Sequence, residues 1–369
     1  MNILNFINYL LVLSFVLFFF KENKIRYILF LSSLSPFILF LIIPENLWPD
    51  QKQYVEHIVD IRNLNFSYNS WAVFKPSIFL AIIPIPFTID TISIALINKL
   101  LFFIIIYFWI KYYQLTYRFL FIIILLPSSI LISTLALKDM LVFFFMFFSI
   151  HYFLKNQYLF SLVSLLIIYF IKFQNAFFML IIFLNYYFIV SKHSYKFKFF
   201  FLSILIVCIY LRFDLFINLI NTYSKGFFFS SFSEISQLQF RGEVQYYYEN
   251  IEVKNIYDLF YKILTRSFAF FLAPLSPYKL IHFFQIFENV IIVLIIFYLF
   301  ILSKKRNKLF MFFFWLLSIL LIFGIYGMAV YNYGTIVRYR YPFILLLFIF
   351  CYNNILDSKN ENNINFRSK

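Results

Sequence analysis

The chain has 369 residues, 63% of them hydrophobic and 13% charged, with 59 Phe against five Gly. A water-soluble fold could not cover itself with so little polar side chain, and a mean hydropathy of +0.87 places the chain among proteins that cross a membrane several times. The formal charge of +15, which in a soluble protein would suggest nucleic acid, has a simpler source in the Lys and Arg that collect on cytoplasmic loops, so no nucleic-acid partner is expected.

The pattern predicts an all-α polytopic bundle of about 11 spans, a single integral membrane domain over 1–369. Residues 3–20 are an apolar run with no basic residue ahead and no small-residue cleavage site behind, expected as a retained helix with its start outside. Lys21, Lys24 and Arg26 mark the cytoplasmic side, and 27–44 brings the chain back. Residues 45–89 form a first external loop, including an apolar segment over 77–88, bounded and interrupted by Pro76, Pro84 and Pro86, too short to span and read as interfacial or re-entrant. Spans follow at 91–110, 119–135, 140–154, 158–171, 175–190 and 199–216. A large external loop, 217–282, is too polar for lipid, with Glu234, Arg241, Glu243, Glu249, Glu252, Lys254, Asp258, Lys262 and Arg266. Spans at 283–302, 309–330 and 341–356 lead to a cytoplasmic tail, 357–369. In this topology the cytoplasmic segments carry sixteen basic against three acidic residues, an asymmetry that sets the orientation, with the N-terminus outside and the C-terminus cytoplasmic. Cys208 and Cys351 both lie in apolar runs, which argues against a disulfide.

Unexplained charge therefore gathers on the external side, where an ionisable group at a helix mouth is costly unless paired or functional. Lys138 and Asp139 close an external turn that begins at Ser133; Asp139 could serve only to favour a helix N-terminus. Lys172 and Gln174 end the next external turn, at a depth where Lys could also snorkel, and the two lysines suggest a shared basic pocket. Arg338 and Arg340, one residue apart ahead of the last span, run against the positive-inside rule. They need an anion, either a protein carboxylate such as Glu234 or Glu243, or a diphosphate held bidentately. In the large loop Arg241, Glu243 and Tyr246 to Tyr248 join a base, a carboxylate and sugar-stacking rings. Arg266 opens an apolar, proline-broken stretch ending at Pro277, expected as a re-entrant hairpin or a short interfacial helix. Asp50, Tyr54 and His57 fall on one helical face. The four His are scattered, so no metal site is expected, and neither a P-loop, a GxGxxG nor a nucleophile elbow is present.

Taken together, Asp50 and Tyr54, the Ser133-x-x-x-Leu137-Lys138-Asp139 turn, Lys172, the long external loop, the Pro274 to Pro277 segment and the closing Gly334-x-x-x-Arg338-x-Arg340-x-Pro342 resemble bacterial O-antigen and exopolysaccharide polymerases of the Wzy and EpsG type, which are similar in fold to GT-C glycosyltransferases. Lys stands at 138 and 172 where Arg is more usual in that family. The resemblance implies a glycosyltransferase that joins undecaprenyl-diphosphate-linked repeat units on the periplasmic side, without metal, nucleotide or other cofactor. Arg338, Arg340, Arg241, Arg266, Lys138 and Lys172 would stabilise the leaving diphosphate, and Glu243, Asp50 or Asp139 would take the proton of the acceptor hydroxyl. Its partners would be polyprenyl-linked oligosaccharide, membrane lipid and a chain-length regulator. Two other readings compete. A GT-C transferase using a polyprenyl-phosphate sugar would centre its chemistry on Asp50, and a polysaccharide or lipid flippase would line a path through the bundle with charge.

Overall fold

A computed structural model describes residues 3–42, 50–66, 71–83, 90–113, 117–190, 218, 221–222, 253–274, 280–330 and 333–356. All regular structure among them is helical. In chain order the helices are α1 (Ile3–Phe19), α2 (Asn23–Ser33), α3 (Ser35–Ile42), α4 (Asp50–Arg62), α5 (Trp71–Ile82), α6 (Thr91–Tyr112), α7 (Tyr117–Leu125) and α8 (Pro127–Thr134). After them come α9 (Asp139–Leu154), α10 (Tyr158–Val190), α11 (Ile256–Leu272), α12 (Leu280–Lys305), α13 (Leu309–Ala329) and α14 (Tyr333–Leu346). A π-helical turn, Leu347–Cys351, continues α14 into a short α15 (Tyr352–Leu356).

Six of these stretches are long and apolar enough to cross a membrane, seven if the bent pair α7–α8 counts as one. The protein is accordingly membrane-embedded. Several of the eleven predicted spans differ from this in ways the backbone explains. Span 119–135 is two helices meeting at 63°, broken where Pro127 starts a new helix. The 140–154 span is a 16-residue helix, α9. Spans 158–171 and 175–190 are one 33-residue run whose single non-helical residue is Lys172 (φ −156, ψ 84); the predicted external turn falls on that break. The 199–216 span and the 357–369 tail lie outside the described residues. Arg338 and Arg340, expected ahead of the last span, are inside α14. Within the predicted loops, 45–89 contains α4 and α5, and 217–282 contains α11, which runs through Arg266 as regular helix.

The chain divides into two compact units, one of 1–179 with 356–369 and the other of 180–355. In the first, α6 begins where Asp90 caps it: the carboxylate accepts from the Ser93 amide at 2.9 Å and from Asn5 Nδ2 of α1 at 2.6 Å. Ser93 Oγ donates to Asn5 Oδ1, so one polar knot starts α6 and fixes α1 against it. The α9–α10 hairpin turns on Asn156, whose φ of +58 is the left-handed conformation that ends helices and that Asn tolerates better than most residues. Ser149 and Ser161 then exchange hydroxyl-to-carbonyl bonds of 3.2 and 2.8 Å across that hairpin.

In the second unit, Asn307 repeats the device with φ +54 between α12 and α13. Large apolar side chains along α12, among them Phe283, Phe287, Leu294 and Phe297, are exposed, as a lipid-facing surface requires. Helix α11 starts with a reciprocal cap: Asn255 Oδ1 accepts from the Asp258 amide, and Asp258 accepts from the Lys254 amide and from Lys262 Nζ, each at 2.9 Å. The Lys262 bond is the larger reason that the Asp258 carboxyl lies below its ordinary value, with the Lys254 amide second. Farther along, α11 lies directly on α13. A methyl at Gly324 would stand 2.5 Å from the Ile263 carbonyl oxygen, and one at Gly327 2.9 Å from that of Arg266.

Close approach of two backbones at those glycines makes a specific demand on any replacement. Gly324→Ala is expected to cost about 1–3 kcal/mol, read as a lower unfolding temperature of the detergent-solubilised protein. An unchanged melt would mean that α11 and α13 do not touch there.

Candidate functional site

Among the described residues each unit has a buried polar centre built where a helix breaks in apolar surroundings. There the last carbonyls of a helix and the first amides after it have no intrahelical partner, and without water they must find one elsewhere in the chain.

In the first unit the break is the 135–138 turn between α8 and α9. Asn98 of α6 donates from Nδ2 to the carbonyls of Leu135 at 2.6 Å and Leu137 at 2.9 Å. Gln51 of α4 accepts the Ala136 amide at 2.9 Å through Oε1. The neighbouring Lys99, completely buried, donates to Ser133 Oγ at 2.8 Å and to Ser32 Oγ of α2 at 3.2 Å. Its ammonium also lies 5.7 and 6.0 Å from the ring centres of Phe102 and Phe103. The turn ends in the charged residues singled out from sequence. Asp139, 3% exposed, pairs with Lys172 Nζ at 3.9 Å, and Lys138 donates to the Ala72 carbonyl at 3.0 Å. The non-helical backbone at Lys172 is therefore the point where α10 sends a cation to the start of α9, whose N-terminus also favours the Asp139 charge. Asp50 stands exposed at the first turn of α4, while Tyr54 and His57, on the same face, are buried.

In the second unit the break is the C-terminal end of α11. Arg340 of α14, 1% exposed, donates from Nη1 to the carbonyls of Phe271 at 2.5 Å and Ala273 at 2.9 Å. Asn289 of α12 donates to Leu272 at 2.8 Å and to the same Ala273 oxygen at 3.3 Å. Three consecutive carbonyls are thus held by two side chains from two other helices. Glu288, also 1% exposed, is the carboxylate whose charge acts on Arg340. Arg338 lies two residues earlier, roughly 200° around α14, and is half-buried. Arg266 is half-buried in the middle of α11.

The expected basic residues thus divide between the units: Lys138 and Lys172 in the first, Arg266, Arg338 and Arg340 in the second. Lys138 and Lys172 meet the same turn, but one is matched to Asp139 and the other to a backbone oxygen. Arg241 and Glu243 lie outside the described residues, as do Glu234 and Tyr246 to Tyr248. Sequence reading passed over Lys99 and Glu288, which stand as isolated ionisable groups inside predicted spans 91–110 and 283–302. That isolation was itself the signal. The described residues hold no group of His, Cys, Asp and Glu arranged for a metal. No protein-family model matches the sequence, and neither a curated protein nor a solved structure is detectably similar to it.

Removing one partner of a buried ion pair leaves the other uncompensated. Lys172→Met and Asp139→Asn are each expected to destabilise by about 3–5 kcal/mol and the double variant by less than their sum, measured as a thermal double-mutant cycle. Additive losses would show that the two charges do not interact. Lys99→Met removes a buried ammonium that meets hydroxyls and rings instead of a carboxylate, so its unfolding temperature should equal or exceed wild type. A melt well below wild type would make Lys99 a structural anchor.

Proposed function

We propose that this protein is a membrane-embedded glycosyltransferase that polymerises polyprenyl-diphosphate-linked oligosaccharide repeat units at the outer face of a bacterial inner membrane. The hydroxyl of an incoming unit attacks the anomeric carbon of the growing chain. The carbon–oxygen bond to the diphosphate breaks, the polyprenyl diphosphate leaves, and the hydroxyl proton passes to a carboxylate. Such chemistry needs no nucleotide, but it needs fixed cations beside a membrane-borne leaving group.

The observation that carries the reading is the arginine pair of the Gly334 to Pro342 motif, set within a membrane helix beside the end of α11. An arginine there is costly unless a specific anion or carbonyl receives it. Arg340 is matched by the α11 carbonyls and by Glu288, which suits a positioning residue. Arg338, on another face of the same helix, is the residue we assign to the diphosphate. Of the carboxylates weighed as base, Asp50 is exposed at a helix start, whereas Asp139 is buried against Lys172. Glu243, Asp50 and Asp139 are the candidate bases, in that order.

One observation favours a second reading. Glu288 and Arg340 both stand inside candidate spans of the second unit, each roughly 9 Å into its span at 1.5 Å per residue, where a flippase would place groups along a substrate path.

Surface polysaccharide from a deletion strain separates these possibilities. The polymerase reading expects lipid core carrying a single repeat unit, long chains restored by wild type, and chain output reduced on the order of 10²-fold by Arg338→Ala at normal membrane levels. Loss of even the single unit would place the protein earlier in assembly, as a transferase or a flippase.

A further inference from the structure

The centre at the end of α11 contains more polar atoms than it uses. Arg340 Nη2, Asn289 Oδ1 and Gln285 Oε1 are all buried without a hydrogen-bond partner among the described residues, and their residues are 1%, 7% and 8% exposed. They belong to one place. Arg340 and Asn289 share the Ala273 oxygen, and Gln285 lies one turn before Asn289 on α12. The orientation of the Asn289 amide is fixed, because its nitrogen already donates to two carbonyls, so its oxygen is the atom left over. Each such group costs free energy when left unsatisfied. Three together, one donor and two acceptors, describe a ligand that can both accept and donate.

Charge narrows the ligand. Glu288 sits among these groups and acts on Arg340, so the centre is close to neutral. A diphosphate would meet a carboxylate and two amide oxygens there. Two neighbouring hydroxyls fit all three atoms, one accepting from Nη2 while each donates its single proton to one amide oxygen. Arg340 and Glu288 are 1% exposed, and Asn289 and Gln285 are slightly less buried.

We propose that Arg340, Asn289 and Gln285, with Glu288 as counter-charge, form a binding site for the vicinal hydroxyls of a neutral sugar. The inference rests on the glycosyltransferase reading and gives this centre the sugar part of the substrate, leaving the diphosphate to Arg338. A site built to pair with hydroxyls also discriminates against analogues that lack them, because its own buried groups are then left unmatched.

The test uses the full-length protein in detergent, with its unfolding temperature followed against rising concentrations of glucose, galactose and N-acetylglucosamine and, separately, inorganic pyrophosphate. At least one sugar is expected to raise the melting temperature in a saturable way. Gln285→Leu, which removes an unsatisfied oxygen without touching the carbonyls that hold α11, should melt at or above wild type yet bind that sugar roughly tenfold more weakly. Protection by pyrophosphate alone would overturn the proposal in favour of an anion site. Protection by no sugar would overturn it in favour of buried water. Equal protection of wild type and Gln285→Leu would overturn it by placing the sugar elsewhere. Because none of these results depends on catalysis, a deletion strain that still accumulates single repeat units would leave the polymerase reading intact while the site fails.

Discussion

Backbone groups that cannot reach water must be matched within the chain, and this constraint organises both units. Every helix break in apolar surroundings leaves carbonyls and amides to satisfy. The chain answers with long polar side chains sent from a different helix. Asn98 and Gln51 hold the 135–138 turn. Arg340 and Asn289 hold the end of α11. Arg62 of α4 does the same for α5, donating to the carbonyls of Ala81 at 3.2 Å and Ile83 at 3.1 Å. The buried polar residues that look anomalous in a composition this apolar are the ones that let the helices stop and start where they do.

This arrangement also explains why the charged positions read from sequence as substrate ligands are so often engaged with the protein. A cation placed at a helix break meets carbonyl oxygens first, as Lys138 and Arg340 do. A cation facing a helix N-terminus meets the carboxylate already favoured there, as Lys172 meets Asp139. Arg340 combines both situations, with Nη1 engaged by carbonyls and Nη2 buried without a partner among the described residues. Stability and function would then be coupled at the same side chain, so a loss of activity at Arg340 has meaning only beside a measurement of folding.

Much of the architecture was legible in the sequence because apolar length is a strong signal. Spans 91–110 and 283–302 appear within α6 and α12, and 309–330 covers α13 and its C-cap. Asp90 and Asn255 stand as caps immediately before their helices, as short polar residues do. What misled was punctuation. The last span reads as starting at 341, yet its helix already begins at Tyr333, so Arg338 and Arg340 are helical. Charge in 253–272 reads as loop, yet Asp258 and Lys262 are a helical i, i+4 pair on the polar side of an amphipathic helix. Lys99 and Glu288 were hidden inside runs whose mean hydropathy already declared them membrane helices. The partners that make Asn98, Asn289 and Gln51 important come from distant parts of the chain, and no local pattern announces them.

The most direct test of this account is the thermal stability of Asn98→Leu beside that of Ser129→Ala. Asn98→Leu keeps the volume but strips two buried carbonyls of their donor, and the account predicts a loss of about 1–3 kcal/mol for each. The Ser129 hydroxyl is buried without a partner among the described residues, so its removal should leave stability unchanged or improved. An Asn98→Leu protein as stable as wild type would contradict the claim that side-chain donors from other helices hold the breaks in place.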